Sequence, residues 1–212
     1  MCGRFCIAAS PGEVSERYET PVPSDYTPRF NISPGQDILT ISGTDMTLEA
    51  RMTVWGFQSG LTHRVINARV ETIHEKALFN NLFPDHRCLV PASGYFEWKH
   101  DGNRKNPYYF TMQPEILVSF AGLIRPLKND REVVILTTRA VPPASGIHDR
   151  MPVILNPPDE RKFLETGEIS MTQKMFAMHK VSTRVNSVHT DGPDLIKSWK
   201  PRSIQQSFGD PG

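Results

Sequence analysis

Eighteen prolines and fourteen glycines divide this 212-residue chain into short segments. Proline fixes φ and lacks a backbone N–H, and glycine weakens helix and strand interiors, so long helices are disfavoured and strands joined by turns are expected. Between these breaks the segments alternate or are rich in β-branched and aromatic residues. Strands are therefore predicted at 37–41, 47–55, 87–90, 95–99, 108–112, 116–123 and 133–138. The fifth and fourth of these flank HDGNRKNP, where Asp101-Gly102 predicts a hairpin turn. Helices are expected at 72–82, with Ile73, Ala77 and Leu78 near one side and Pro84 as its stop, and at 159–164 after Pro157-Pro158. A short third helix is expected at 172–178. The expected fold class is α+β, a single domain dominated by antiparallel sheet over residues 1–200, with 201–212 as a frayed tail.

A hydrophobic content of 38% is enough for one core or two small, closely packed lobes. Bulk charge does not point to nucleic acid: 24 Lys and Arg stand against 23 Asp and Glu, a net +1, so any DNA-binding face must come from local placement of basic residues. Cys2, Cys6 and Cys88 are an odd set without a CxxC pair, which argues against a disulfide framework and against a structural zinc site. No apolar run approaches the roughly 18 residues that span a bilayer, and MCGRFCIAAS is a poor secretory signal. These features lead us to expect an intracellular protein with reduced thiols and no membrane partner.

Chemistry concentrates first at Cys2. Methionine is commonly removed when a small residue follows, which would leave Cys2 with a free α-amine beside its thiol. An α-amine has a reference pKa of about 8, so an appreciable fraction is unprotonated near neutrality. Such an amine attacks an aldehyde to give a Schiff base, and the thiol can close a five-membered thiazolidine on it. The alternative is an ordinary small buried residue, since cysteine is among the most buried types.

Three later segments carry further candidates. In INARVET, extended backbone would project Asn67 and Arg69 to one face, where Arg69 suits a phosphate and Asn67 a sugar or carbonyl oxygen; a polar turn with Arg69 solvated is the alternative. In GYFEW, Tyr95, Glu97 and Lys99 share one strand face and Phe96 and Trp98 the other, so Glu97 faces a cleft or solvent if the aromatics fill the core. In GIHDRMP, His148 titrates near neutrality and suits proton transfer, and Arg150 offers another phosphate contact; the alternative is polar surface.

MCGRF at the N-terminus, FNISP at 30–34, WG at 55–56, NARVET at 67–72, GYFEW at 94–98 and IHDRMPVIL at 147–155 occur in one order. With PYYF at 107–110, SFAGL at 119–123 and HKVSTRVN at 179–186, they closely resemble the SOS-response-associated peptidase (SRAP) family over nearly the whole chain. The resemblance implies a barrel-like core of antiparallel sheets with a few peripheral helices around a positively lined DNA cleft. It implies that Cys2 becomes N-terminal and forms a thiazolidine crosslink with the aldehyde of an abasic site in single-stranded DNA. Asn67, Glu97 and His148 match catalytic positions, with Glu97 assisting ring opening and Schiff-base chemistry and His148 transferring protons. Arg4, Arg69 and Arg150 match positions expected to face the DNA backbone. Trp55, Trp98 and Phe30 are aromatic candidates, and Cys6 is assigned no role. The expected protein is a monomer without cofactor or metal, cytoplasmic and drawn to the nucleoid through DNA.

Competing functions remain open at this stage. A cysteine peptidase would use Cys2, His148 and Glu97 as nucleophile, base and orienter, with removal of Met1 as its assured cleavage. An amidotransferase shares only the MCG start. A non-covalent single-strand binding module would rest on arginines and stacking aromatics.

Overall fold

The N-terminal strand sits inside a sheet rather than at its edge. In the computed structural model, which describes residues 2–44, 47–112, 117–171 and 176–199, β1 (Phe5–Ile7) pairs antiparallel with β2 (Arg29–Ile32) on one side and β9 (Gly94–Asp101) on the other. β10 (Arg104–Met112) and β14 (Phe176–Lys180) complete this five-stranded sheet, in the order β14-β10-β9-β1-β2.

A second sheet contains β3 (Asp37–Thr44), β4 (Thr47–Trp55), β8 (Arg87–Ala92), β11 (Val118–Pro126), β12 (Arg131–Arg139) and β13 (Arg150–Pro152). Its order is β11-β8-β3-β4-β12-β13, and β11 also pairs with β12, so β11, β8, β3, β4 and β12 close into a ring. A small hairpin of β5 (Phe57–Ser59) and β6 (His63–Val65) leads into β7 (Asn67–Arg69), which runs parallel to β12. The expected α+β fold, a barrel-like core of mainly antiparallel sheet, is what forms. Aromatic side chains join the two sheets: Phe5 meets Trp55 at 5.2 Å and Phe120 at 5.9 Å between ring centroids, both edge-on. Contacts of this kind add about 0.5–1.5 kcal/mol each beyond burial itself.

Each predicted strand is present, usually longer than expected; Ile116, at the start of one, lies outside the described residues. The hairpin turn falls one residue later than expected. Asp101 still pairs with Arg104, and Gly102, at φ 54°, supplies the left-handed conformation the loop needs.

The helices differ more. Residues 72–82 do not form one helix: a 3₁₀ turn covers Val70–Thr72 and a single α-turn, α2, covers Ala77–Asn80. Ile73 and Phe79 are both buried. Six helical residues would place them about 120° apart around one axis, so the chain breaks to bury both. The expected helix at 172–178 is corrected at its end, where Phe176–Lys180 is a strand completing the ladder on β10; residues 172–175 lie outside the described set. The helix expected at 159–164 is found as α3 (Glu160–Thr166), ended by Gly167 in the left-handed region.

One helix escaped prediction. Pro11–Tyr18, α1, opens on a capping box in which Ser10 and Glu13 satisfy each other's backbone N–H groups, with proline in the first turn.

Candidate functional site

The β1–β9 ladder carries the chain start to the site. Phe5 pairs with Tyr95 and Cys6 with Gly94, and the Phe96 N–H donates to the Arg4 carbonyl at 2.9 Å, extending the register toward Glu97. Gly94 permits the close approach of β10 on its other side: a Cβ there would stand 2.3 Å from the Phe110 carbonyl oxygen.

Cys2 is fully buried, and so is the neighbouring face of β9. Burial and the nearby Glu97 carboxylate push its thiol well above the ordinary range, while the Arg4 backbone N–H, hydrogen-bonded to the sulfur, opposes them. At rest Cys2 is therefore a neutral thiol.

Glu97 is 5% exposed, far from the solvated strand glutamate that alternation allowed. β9 is covered on both faces here: Tyr95 packs into the main core, and Phe96 on the other face packs with Tyr109, Val181, Val185 and Leu195. Burial raises the Glu97 carboxyl above its ordinary value. Its side chain lines a cavity of about 560 Å³ together with His148, Arg4 and Trp98. Burial shifts His148 the other way, downward. The carboxyl and the imidazole thus move toward one another, which eases proton exchange between them.

His148 occupies the loop before β13. Its Nδ1 accepts the Arg150 backbone N–H at 3.0 Å and lies 2.8 Å from Asp149 Oδ1. Asn67 is half-buried on β7, its Nδ2 donating to the Ile135 carbonyl at 3.3 Å. Its Oδ1 is buried and has no hydrogen-bond partner among the described residues. The adjoining Ile66 lines the cavity, and its carbonyl is held by the indole N–H of Trp55 at 3.1 Å.

The three arginines occupy unlike settings. Arg4 faces the cavity, stacks its guanidinium 5.9 Å from the Trp98 ring centroid, and donates from Nη1 to Asn31 Oδ1 at 2.7 Å and the Val185 carbonyl at 2.8 Å. It thereby ties the FNISP and STRVN segments to the chain start. Arg69 is exposed on β7, on the opposite side of the strand from buried Ala68. Arg150 is 7% exposed, with both terminal nitrogens on Glu71 and Nη2 also on the Thr137 carbonyl. The fork of Arg150 is thus occupied by the protein itself.

Among the aromatics, Trp55 is fully buried, Phe30 is half-buried, and Trp98 lines the cavity with its indole N–H donating to Asn186 Oδ1 at 2.7 Å. His100 and Lys105 also line the cavity and escaped the sequence reading. They face each other across the β9–β10 hairpin, and the alternation that puts His100 on the Trp98 side was available to find them. Among the described residues, no group of three His, Cys, Asp or Glu is placed to hold a metal ion, and no helix is long and apolar enough to cross a membrane.

Compared with known families, the chain matches that of the SOS response associated peptidase (SRAP) over residues 1–188. The chain belongs to the SRAP family. Among SRAP relatives, the abasic site processing protein YoqW of Bacillus subtilis (strain 168) is 30% identical over 223 residues, covering 93% of this chain and 100% of the relative. The abasic site processing protein YedK of Escherichia coli (strain K12) is 30% identical over 220 residues, covering 93% and 99%. A crystal structure of a protein from Bacteroides thetaiotaomicron superposes with a TM-score of 0.76 at 22% identity, covering 94% of this chain and 100% of that one, a likeness of fold. Three segments of the chain, MCGRF, GYFEW and IHDRMP, line the cavity through Arg4, through Glu97 and Trp98, and through His148.

Proposed function

We propose that this SRAP protein processes abasic sites in single-stranded DNA, joining the sugar aldehyde covalently to Cys2 once Met1 has been removed. The observation that carries the reading is the position of Glu97, which lines the cavity shared with His148 and also acts electrostatically on the buried Cys2 thiol. The names of the relatives above, abasic site processing proteins, agree with this chemistry.

The reaction runs as follows. The closed sugar opens when a proton leaves its C1′ hydroxyl and one reaches the ring oxygen, a transfer suited to a protonated Glu97. The Cys2 amine attacks C1′, forming a C–N bond, and the nitrogen proton passes through His148. Protonation of the carbinolamine oxygen expels water and leaves C=N. The Cys2 sulfur then adds to that carbon, and the thiol proton ends on nitrogen. Amine, thiol and aldehyde thus become thiazolidine plus one water. Asn67 steadies the sugar through its unsatisfied Oδ1, while Arg4 and exposed Arg69 meet the DNA backbone.

A peptidase reading requires a thiolate activated by a neighbouring imidazolium. Here burial and Glu97 bias Cys2 toward the thiol, which disfavours first attack by sulfur and leaves that step to the amine, the thiol giving up its proton only as the ring closes.

Intact mass spectrometry after incubation with an abasic oligonucleotide tests the reading. The expected product starts at Cys2, carries the oligonucleotide less one water, and survives heat denaturation. Protein starting at Cys2 that gains no mass would overturn it.

A further inference from the structure

His148 Nδ1 has two neighbours that require opposite things of it. The Arg150 backbone N–H, 3.0 Å away, can only donate, so it requires a bare Nδ1. The Asp149 carboxylate, 2.8 Å away, can only accept when ionised, so it requires Nδ1–H. A neutral imidazole cannot satisfy both at once, since one nitrogen carries the proton and the other does not.

We propose that Asp149 is a positioning residue that selects the tautomer of His148, and so decides whether Nε2 accepts or donates a proton in the cavity. With Asp149 on Nδ1–H, neutral His148 has an unprotonated Nε2 and acts as a base. On taking a proton there it becomes an imidazolium, still paired with Asp149, and returns that proton to the departing hydroxyl. With Arg150 N–H on Nδ1, the proton resides on Nε2 and neutral His148 only donates. Asp149 is free to serve as a switch because its side chain is 82% exposed, whereas the Arg150 backbone is fixed by β13 pairing with Arg139 of β12.

This assignment rests on the reading of His148 as the proton-transfer group. The charged groups facing it are Asp149 on its own loop, Glu97 on β9, Arg4 beside β1, and His100 and Lys105 on the hairpin. Asp149 also acts on Glu97, so loss of its charge alone must be separated from loss of its hydrogen bond.

The test compares wild type, Asp149→Ala and Asp149→Asn. The asparagine keeps an accepting oxygen for Nδ1–H without the charge. Imidazole ¹⁵N shifts of His148, recorded across pH without DNA, report the tautomer. The expected result is an appreciable Nδ1–H population in wild type, a shift to Nε2–H in Asp149→Ala, and an intermediate state in Asp149→Asn. Crosslinking of an abasic oligonucleotide should slow by about tenfold in Asp149→Ala, with partial recovery in Asp149→Asn. Unchanged ¹⁵N shifts in Asp149→Ala would overturn the proposal, as would equal rates in all three proteins. If the shifts move as expected but wild type forms no adduct, the tautomer assignment stands and the functional reading fails.

Discussion

Glu71 and Arg150 are joined by two parallel hydrogen bonds, from Nη1 to Oε1 at 2.9 Å and from Nη2 to Oε2 at 2.8 Å. The pair braces the segment after Asn67 and Arg69 against the strand that follows His148, two motifs 79 residues apart in sequence. The Arg150 fork holds the Glu71 carboxyl at about 2, below its ordinary 4.5. A depressed carboxyl contributes stability above its unfolded value and loses it as pH falls toward the folded one. The wild type should therefore lose melting temperature between about pH 4.5 and 2 more steeply than Glu71→Gln does. Parallel melting curves for the two proteins in that window would refute the brace.

Glu97 has the opposite sign. Its carboxyl is raised by burial, so its charged form is disfavoured in the folded protein and stability falls as pH rises from the ordinary 4.5 through the folded value. Glu97→Gln should melt higher than wild type at pH 8, by a margin that shrinks toward pH 4.5. The same variant should crosslink more slowly by about 10²–10⁴-fold. Thermal melts at several pH values and single-turnover adduct formation check both halves; a variant that is as fast as wild type removes Glu97 from the chemistry.

Replacing the thiol isolates the amine. Cys2→Ser should give at most a Schiff base, trapped by borohydride and lost on heating without it. A heat-stable adduct in wild-type yield would move the attachment away from Cys2.

Arg69 and Arg150 should separate in DNA binding. Arg69→Ala should weaken single-strand affinity across sequences and flatten the slope of log K against log salt by roughly 0.7. Arg150→Lys, which keeps the charge but not the fork, should lower the melting temperature and leave that slope unchanged. A slope that changes with Arg150→Lys and not with Arg69→Ala would reverse the two assignments.

Strand positions were legible because β-branched and aromatic runs between prolines and glycines leave few other options, and the order of the motifs made the family legible too. The site was read through residue types: Cys2, Glu97 and His148 were named, and the structure sets Glu97 and His148 on one cavity with Glu97 acting on Cys2. What alternation could not show was burial on both faces of β9, because the covering residues come from distant segments. The pairing of Arg150 with Glu71 was hidden for a similar reason, since the two meet only when β13 and β7 flank β12. The helix expected at 72–82 does not form because Ile73 and Phe79, both buried, would lie on different sides of it, while Leu78 on the expected apolar side is exposed.

Because β1 is an interior strand, its ladder contacts with β2 and β9 hold the start of the polypeptide within the scaffold. The segment that builds the sheet also carries the proposed nucleophile, leaving only Gly3 and Arg4 between Cys2 and the first paired strand residue. Affinity tags and fluorescent fusions therefore belong at the far end of the chain: an N-terminal extension that resists proteolysis would block the amine and disturb the strand together, whereas a protease that trims to Cys2 could serve to arm a dormant precursor on demand.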